Sequence, residues 1–223
     1  MGTTARRETY VWVTWVTGLV AGEKQCAFAP WIRSNFLIEK APRDFDLTAW
    51  KIAHTDMVLA RQRELAADGW TVYLEDQNDF RLRGQAATLS GKCDLVAIRG
   101  DEARVEDCKS GQQRDSDFVQ VLCYMLALPL LAGASRPTPM AQAVSGKRLT
   151  GALIYRDHRR EIWPEELTPD LRQRILDTIK RMGDRTPPAR VPSAAECRFC
   201  EVTKTDCADR IDVEDAVTTV DVF

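Results

Sequence analysis

Two carboxylates and one lysine near the middle of the sequence have the types and spacing needed for metal-dependent cleavage of a phosphodiester. Asp94 follows a Gly-Lys-Cys segment, and a single residue separates Asp107 from Lys109. Carboxylate oxygens bind Mg²⁺ or Mn²⁺, and such a cation makes a coordinated water more acidic and stabilises charge on the attacking and leaving oxygens. In a strand, Lys109 points to the same face as Asp107, where it could orient the hydroxide or the scissile phosphate.

The other ligands of this cation are predicted from residue type. His54 could complete the coordination, together with the backbone carbonyl of Cys108. Glu106 is the one ambiguous acid, because it is adjacent to Asp107. Strand alternation directs Glu106 to the face opposite Asp107 and Lys109, so we assign Asp107 as the ligand.

Predicted strands carry most of these residues. Four short segments with apolar residues, bounded by turn residues, predict a meander of strands over residues 71–74, 80–83, 91–99 and 104–109. Gly100 and Asp101 supply a turn between the last two strands. Asp94 and Asp107 are therefore predicted to lie side by side on neighbouring strands.

Two helices are predicted beside these strands. Apolar residues at roughly helical spacing predict a helix over residues 45–69, which carries His54 and ends at a glycine. The pattern becomes helical again over residues 115–131. Gln120 and Tyr124 are four residues apart in this second helix and share one face.

The C-terminal third contains a strand, a helix and a stiff connector. Residues 151–155 predict the strand, and Thr168 followed by Pro169 predicts the start of a helix. Three prolines make residues 185–193 an extended connector that leads towards Cys197.

The cysteines predict a second site. Cys197, Cys200 and Cys207 form a C-x2-C-x6-C group, and Cys26 could close a set of four from near the start of the chain. Seven cysteines do not suggest a disulfide framework, and the other three lie in apolar patterns typical of small buried side chains. The spacing suits either a zinc ion or an iron-sulfur cluster.

Composition predicts one compact domain, which we expect to be in the cytoplasm. The chain has 223 residues, 44% of them hydrophobic, with no uninterrupted apolar run long enough to cross a membrane and no signal-peptide layout. The net charge of -2 excludes a polycation that coats nucleic acid, so any nucleic-acid site must be local. We expect a helical part at about residues 36–70, a core at about 71–160, and a helix with the cysteine region at about 164–210.

The ordered set of residues resembles the RecB-like branch of the PD-(D/E)xK nuclease superfamily. The resemblance is carried by His54, by GKCDLV at residues 91–96, by VEDCKSG at residues 105–111 and by QVLCY at residues 120–124. It implies an α/β, restriction-endonuclease-like fold, in which helices flank a mixed central sheet and the cysteine region follows at the C-terminal side. It also implies that Asp94, Asp107 and Lys109 are catalytic, and that Gln120 and Tyr124 position DNA or the catalytic groups.

The cysteine arrangement resembles that of the iron-sulfur nucleases within this branch. One cysteine precedes the core and three follow it, introduced by Pro192. This resemblance favours a structural [4Fe-4S] cluster over Zn²⁺, with ligands Cys26, Cys197, Cys200 and Cys207. It further implies exonuclease action on single-stranded DNA or overhangs, as in the CRISPR-associated adaptation exonuclease, which works with integrase subunits.

Two alternatives remain open on sequence alone. A nuclease of phage, recombination or repair type fits nearly as well, because the sequence around Cys26 and the gap between Cys200 and Cys207 are not the commonest form. A DNA-binding assembly subunit that does not need to cut is the alternative of another class. The intact trio of Asp94, Asp107 and Lys109 argues against it.

Overall fold

The computed structural model describes residues 3–42 and 46–212 of the chain. Within these residues the chain forms seven α-helices and ten strands. The helices are α1 (Val13–Val20), α2 (Phe28–Asn35), α3 (Leu47–Ala67), α4 (Asp115–Leu131), α5 (Pro139–Val144), α6 (Pro169–Met182) and α7 (Ala194–Arg198). The strands are β1 (Thr4–Ala5), β2 (Tyr10–Trp12), β3 (Phe36–Leu37), β4 (Thr71–Leu74), β5 (Asp79–Arg83), β6 (Thr88–Lys92), β7 (Leu95–Arg99), β8 (Glu102–Cys108), β9 (Arg148–Ile154) and β10 (Arg159–Ile162).

The largest sheet has five strands in the order β10-β9-β8-β7-β4. Strands β8 and β9 are parallel, and the other neighbours are antiparallel. This arrangement confirms the predicted mixed sheet. Alternate residues of β7 face different helices, because Val96 packs in the cluster that contains α4, whereas Leu95 and Ala97 pack with Val58 and Leu65 of α3.

The predicted meander over residues 71–109 is wrong in its pairing. Strand β4 pairs with β7, whereas β5 and β6 form a hairpin in a separate three-stranded sheet with β2. The predicted strand over residues 91–99 is accordingly two strands, β6 and β7, with a break between them. The fully buried Asn78 explains the break, because its amide donates to the carbonyls of Tyr73 at 2.8 Å and Cys93 at 3.2 Å and thereby ties the end of β4 to the break.

Helix α4 has the bounds predicted from the sequence, and two glycines let it lie close to the strands. A β-carbon at Gly151 would lie 2.5 Å from Cγ1 of Val121 and 2.8 Å from the sulfur of Met125. A β-carbon at Gly91 would lie 3.0 Å from the ring of Tyr124. The absence of side chains at these two positions therefore sets the depth of α4, which carries two of the predicted site residues.

Helix α3 is bounded by local signals. The Asp46 side chain accepts a hydrogen bond from the amide of Ala49 at 2.9 Å, which caps the first turn. The helix ends just before Gly69, whose φ of +82° favours glycine, as predicted. The predicted start at Phe45 lies outside the described residues.

The sequence patterns do not predict the N-terminal elements. The apolar stretch at residues 10–20 divides into β2 and α1 and buries Val11, Val13 and Val16 completely. Within these eleven residues the spacing of apolar residues changes from that of a strand to that of a helix. Each stretch is therefore too short to show a recognisable strand or helix pattern. Among the helices of the described residues, none is long and apolar enough to cross a membrane.

The C-terminal helix and connector follow the prediction, whereas the strand predicted over residues 151–155 is β9, which runs from Arg148 to Ile154, and α5, β10 and α7 are not predicted. The Thr168 hydroxyl accepts a hydrogen bond from the amide of Leu171 at 3.3 Å, and Pro169 is the first residue of α6. Residues 184–193 lack helix and strand, as the prolines predict. Glu196 of α7 then accepts hydrogen bonds from the amides of Gln25 at 2.9 Å and Cys26 at 3.3 Å, which ties the two ends of the chain together.

Candidate active site and cysteine cavity

The hairpin of β7 and β8 brings the two aspartates together at the edge of the sheet. Leu95 pairs with Glu106, and the next positions along this register are Asp94 and Asp107. The amide of Cys108 donates a hydrogen bond of 2.7 Å to Oδ2 of Asp94. The Asp94 carboxylate is therefore held across the end of β8, beside Asp107.

Lys109 lies between acceptors on β8 and α4. Its ammonium is 2.7 Å from Oδ2 of Asp107 and 3.6 Å from Oδ1 of Asp117, and it donates to Oε1 of Gln120 at 2.8 Å. The backbone amide of Lys109 donates to the carbonyl of Ile154 at 2.8 Å, which continues the ladder to β9. The side chain is thus fixed at its base by the sheet and at its tip by three polar groups.

Gln120 and Tyr124 form a chain of hydrogen bonds behind the aspartates. The amide nitrogen of Gln120 donates to Oδ1 of Asp107 and lies 2.8 Å from the Tyr124 hydroxyl. Tyr124 donates in turn to the carbonyl of Lys92 at 3.0 Å. Gln120 contacts both Asp107 and Lys109, so it fixes their relative position. The fully buried Tyr124 bonds to Gln120 and to the Lys92 carbonyl, and it therefore supports Gln120.

His54 approaches from α3 on the other side. Its Nε2 lies 3.1 Å from Oδ2 of Asp94, and its Nδ1 lies 4.0 Å from Oε1 of Glu75. The hydrogen bond with Asp94 raises the pKa of His54, although burial acts in the opposite direction. For His54 to bind a cation through Nε2, that nitrogen must give up its proton and its contact with Asp94.

Burial and neighbouring charge tune the central ion pair. Burial raises the pKa of Asp107 to about 6, because a carboxylate with only 2% of its surface exposed has lost most of its hydration. Burial also acts to lower the pKa of Lys109, but the charge of Asp107 and of the neighbouring acids outweighs it, so that pKa is raised. Lys109 is therefore an ammonium at neutral pH, suited to donating hydrogen bonds and unsuited to acting as a base.

The donor set fits a hard divalent cation. Within residues 3–42 and 46–212, no three His, Cys, Asp or Glu side chains already stand as the ligands of a metal ion. The contacts account for this, because Lys109 lies against Oδ2 of Asp107. That oxygen is buried and accepts no hydrogen bond of regular geometry, so the contact is an ion pair that a cation can replace. His54, Asp94, Asp107 and Cys108 line the same cavity, of about 620 Å³, as Lys109 and Gln120.

Glu106 lies on the other face of β8, as strand alternation predicts. It is completely buried and accepts two hydrogen bonds from the Arg61 guanidinium, at 2.7 and 2.9 Å. Arg104 also pairs with Glu106 and reaches Glu161 of β10 at 2.5 Å. The acid next to Asp107 is therefore held by two arginines and turned away from the cavity.

Asp117 and Glu75 contact the site, although neither is among the residues predicted from the sequence. Asp117 lies in the first turn of α4, three residues before Gln120 and hence on the same face, where it reaches Lys109 and accepts a hydrogen bond from Tyr155 at 3.3 Å. Helical spacing from Gln120 was the signal that could have identified Asp117. Glu75 had no such signal, because it reaches His54 only through the pairing of β4 with β7.

The four predicted cysteine ligands line one cavity. Cys26, Cys197, Cys200 and Cys207 surround a space of about 80 Å³ between α2 and the C-terminal segment. All four are free thiols, and the other three cysteines, Cys93, Cys108 and Cys123, are almost completely buried in the core, as predicted. Cys26 thus converges with Cys197 across 170 intervening residues, which local patterns alone could not establish.

The thiols of this cavity interact with one another and with nearby donors. Burial raises the pKa of Cys200, and the charges of Cys197 and Cys26 add to the effect, while Arg210 opposes it. Burial likewise raises the pKa of Cys207, against the charge of Arg190. Cys200 also accepts a hydrogen bond from the amide of Val202 at 3.5 Å. Thiols are the ligand type of zinc and iron-sulfur sites, but within the described residues no three of these cysteines are arranged as the ligands of a metal ion.

Comparison with known proteins places this geometry in a family. No curated protein matches the chain. Among solved structures, the chain is similar to the crystal structure of SSO0001, which is 16% identical, has a TM-score of 0.45 and is aligned over 93% of this chain and 89% of that chain. The family model of the PD-(D/E)XK nuclease superfamily matches residues 20–205, a span that contains the whole aspartate and lysine cluster. The chain therefore belongs to the PD-(D/E)XK nuclease superfamily, whose members are metal-dependent nucleases.

Proposed function

We propose that this protein is a deoxyribonuclease that acts as an exonuclease on single-stranded DNA or on overhangs, with Mg²⁺ or Mn²⁺. The observation that carries the proposal is the convergence of His54, Asp94, Asp107, Lys109 and Gln120 on one cavity. The cavity volume of about 620 Å³ falls in the range of about 300–1,000 Å³ that is common for small-ligand sites. Such a space suits a strand end or a single nucleotide better than the side of a duplex.

Each residue has a role that follows from its contacts. Asp94, Asp107, His54 and the carbonyl of Cys108 would hold the divalent cation, which makes a coordinated water acidic and stabilises charge on the phosphate oxygens. Lys109, as an ammonium, donates to the nucleophile or to the scissile phosphate. Gln120 keeps Lys109 and Asp107 at their observed separation, because it bonds to both side chains.

Substitution of Lys109 by alanine tests the proposal. We expect cleavage of end-labelled single-stranded DNA with Mn²⁺ to fall by about 10²- to 10³-fold, because one charged donor to the transition state is lost. The products of the wild-type protein on a denaturing gel report whether cutting starts at an end. Single-stranded and duplex substrates of the same sequence, compared side by side, report strand preference.

Lys180→Ala is the matched control, since Lys180 is an exposed lysine of α6 outside the cavity. It should cut like the wild type. Equal cleavage by Lys109→Ala and wild type would contradict the assigned role. Absence of cleavage in both, with DNA binding retained, would instead support a DNA-binding assembly subunit.

We propose that the cysteine cavity holds a [4Fe-4S] cluster with a structural role. Its four thiols come from both ends of the described chain, so one cluster would fasten α2 to the segment after α7. Zn²⁺ is the alternative at the same ligands. A role in CRISPR spacer acquisition with integrase subunits rests on the sequence resemblance, and a phage, recombination or repair role is the alternative to it.

Replacing Cys200 with serine should remove the metal and destabilise the protein. Anaerobically purified wild type is expected to contain about four iron atoms per chain and to absorb visible light, as thiolate-bound clusters do. Cys200→Ser should lose most of the iron and melt at a lower temperature, because binding free energy contributes to folding. Elemental analysis and thermal unfolding measure the two effects.

Cys123→Ala is the control for this experiment, since it removes a thiol from the core of α4, away from the cavity. It should keep its iron. One zinc per chain in the wild type would replace the iron-sulfur proposal with the zinc alternative. Full metal content in Cys200→Ser would contradict both.

A further inference from the structure

One face of α3 continues beyond the sheet on which the helix packs. Residues spaced three or four apart share this face, and they are Leu47, Trp50, Lys51, His54, Val58, Arg61 and Leu65. In the C-terminal half the face is buried, with Leu65 only 2% exposed. In the N-terminal half Leu47 is 51% exposed and Trp50 is 40% exposed. The same stripe that anchors α3 to β7 and β8 therefore overhangs the candidate active site.

Trp50 has a defined position on this overhang. Its ring stacks on His54, with the centroids 5.1 Å apart and the planes 25° from parallel. Trp50 and Lys51 line the same cavity as Asp94 and Asp107, together with Ser110 and Gly111. An aromatic ring and a cation thus stand on the cavity wall formed by α3, beside the residues proposed to cut.

We propose that Trp50 and Lys51 form a nucleotide subsite, in which the indole stacks on the base next to the scissile phosphate and Lys51 pairs with a backbone phosphate. The inference rests on the proposed function, because it assigns the DNA strand to this cavity. Proteins usually bind single strands without sequence preference by stacking bases on aromatic side chains and pairing cationic side chains with the phosphates. A base within a duplex is stacked on its neighbours, so this subsite would select single-stranded DNA or frayed ends.

The test removes the Trp50 side chain and one DNA base, separately and together, and compares the DNA affinities. Fluorescence anisotropy measures the affinity for a labelled single-stranded oligonucleotide in Ca²⁺. A series of the same oligonucleotide carries one abasic residue at successive positions. For the wild type, an abasic residue at one position should weaken binding by about 5- to 150-fold, the range expected for loss of one stacked base.

In Trp50→Ala the intact and abasic strands should bind equally, because the stacking partner of that base is gone. Trp50→Phe should retain most of the discrimination. Trp163→Ala is the matched control, since Trp163 is 48% exposed and lies outside the cavity. It should discriminate like the wild type. Thermal unfolding of each variant confirms that the native fold is present.

If Trp50→Ala still binds the intact strand more tightly than the abasic strand, the proposed subsite is wrong. It is also wrong if the wild type tolerates an abasic residue at every position. A loss of Mn²⁺ affinity in Trp50→Ala with an unchanged abasic penalty would also overturn it, because Trp50 would then act on His54 alone. The outcome is separate from the nuclease proposal. A wild type that binds and discriminates without cutting refutes the nuclease but supports the subsite.

Discussion

Asp107→Asn is expected to lower the rate of DNA cleavage by about 10³-fold or more, a loss of about 4 kcal/mol in transition-state stabilisation. Asparagine keeps the shape of the side chain and can still bond to Gln120. It removes the negative charge, and its amide nitrogen or neutral oxygen would replace the Oδ2 that now pairs with Lys109. A cation that prefers anionic oxygen then loses its most buried ligand.

Isothermal titration with Mn²⁺ and single-turnover cleavage measure the two parts of this loss. Asp101→Asn makes the same chemical change in the turn of the β7 and β8 hairpin, where the side chain is fully exposed, and it should leave both quantities unchanged. An Asp107→Asn protein that binds Mn²⁺ and cuts at wild-type rates would refute the assignment of Asp107 as a ligand. The proposed active site would then have to be placed elsewhere.

Local sequence signals were sufficient for the elements that carry most of the candidate site. Helix α4 was predicted with its bounds, because a long apolar period and two flanking polar segments define it without help from the rest of the chain. The turn at Gly100, where φ is +56°, likewise sets the register that aligns Asp94 with Asp107. These are features of contiguous sequence, and the structure reproduces them.

Features that depend on contacts between distant residues could not be predicted from local sequence patterns. The switch from β6 to β7 is fixed by the buried amide of Asn78, which bonds to carbonyls five and fifteen residues away. No hydrophobic period reports such a contact. The same applies to Glu75, which is next to His54 only because β4 pairs with β7 rather than with β5.

Arg61→Leu is expected to destabilise the protein by about 3 kcal/mol, because it leaves the Glu106 carboxylate in the core with one partner fewer. Glu106 has no exposed surface, and the Arg61 fork supplies two of its hydrogen bonds. Arg104 remains as a partner and limits the loss. Urea unfolding of the wild type and the variant measures the difference. Arg99→Leu is the control, since the Arg99 and Glu102 pair is half exposed and should contribute less than about 1 kcal/mol.

The double variant Arg61→Leu/Glu106→Leu decides whether the cost comes from the lost pair or from the orphaned charge. If the unpaired carboxylate is the cause, Glu106→Leu should restore much of the stability, because it removes the buried charge that Arg61→Leu left without its partner. Equal stability of Arg61→Leu and Arg99→Leu would contradict the expectation. The fork joins the helix that carries His54 to the strand that carries Asp107. Stability restored with apolar residues, together with weakened Mn²⁺ binding, would therefore mean that the charges align the site rather than hold the fold.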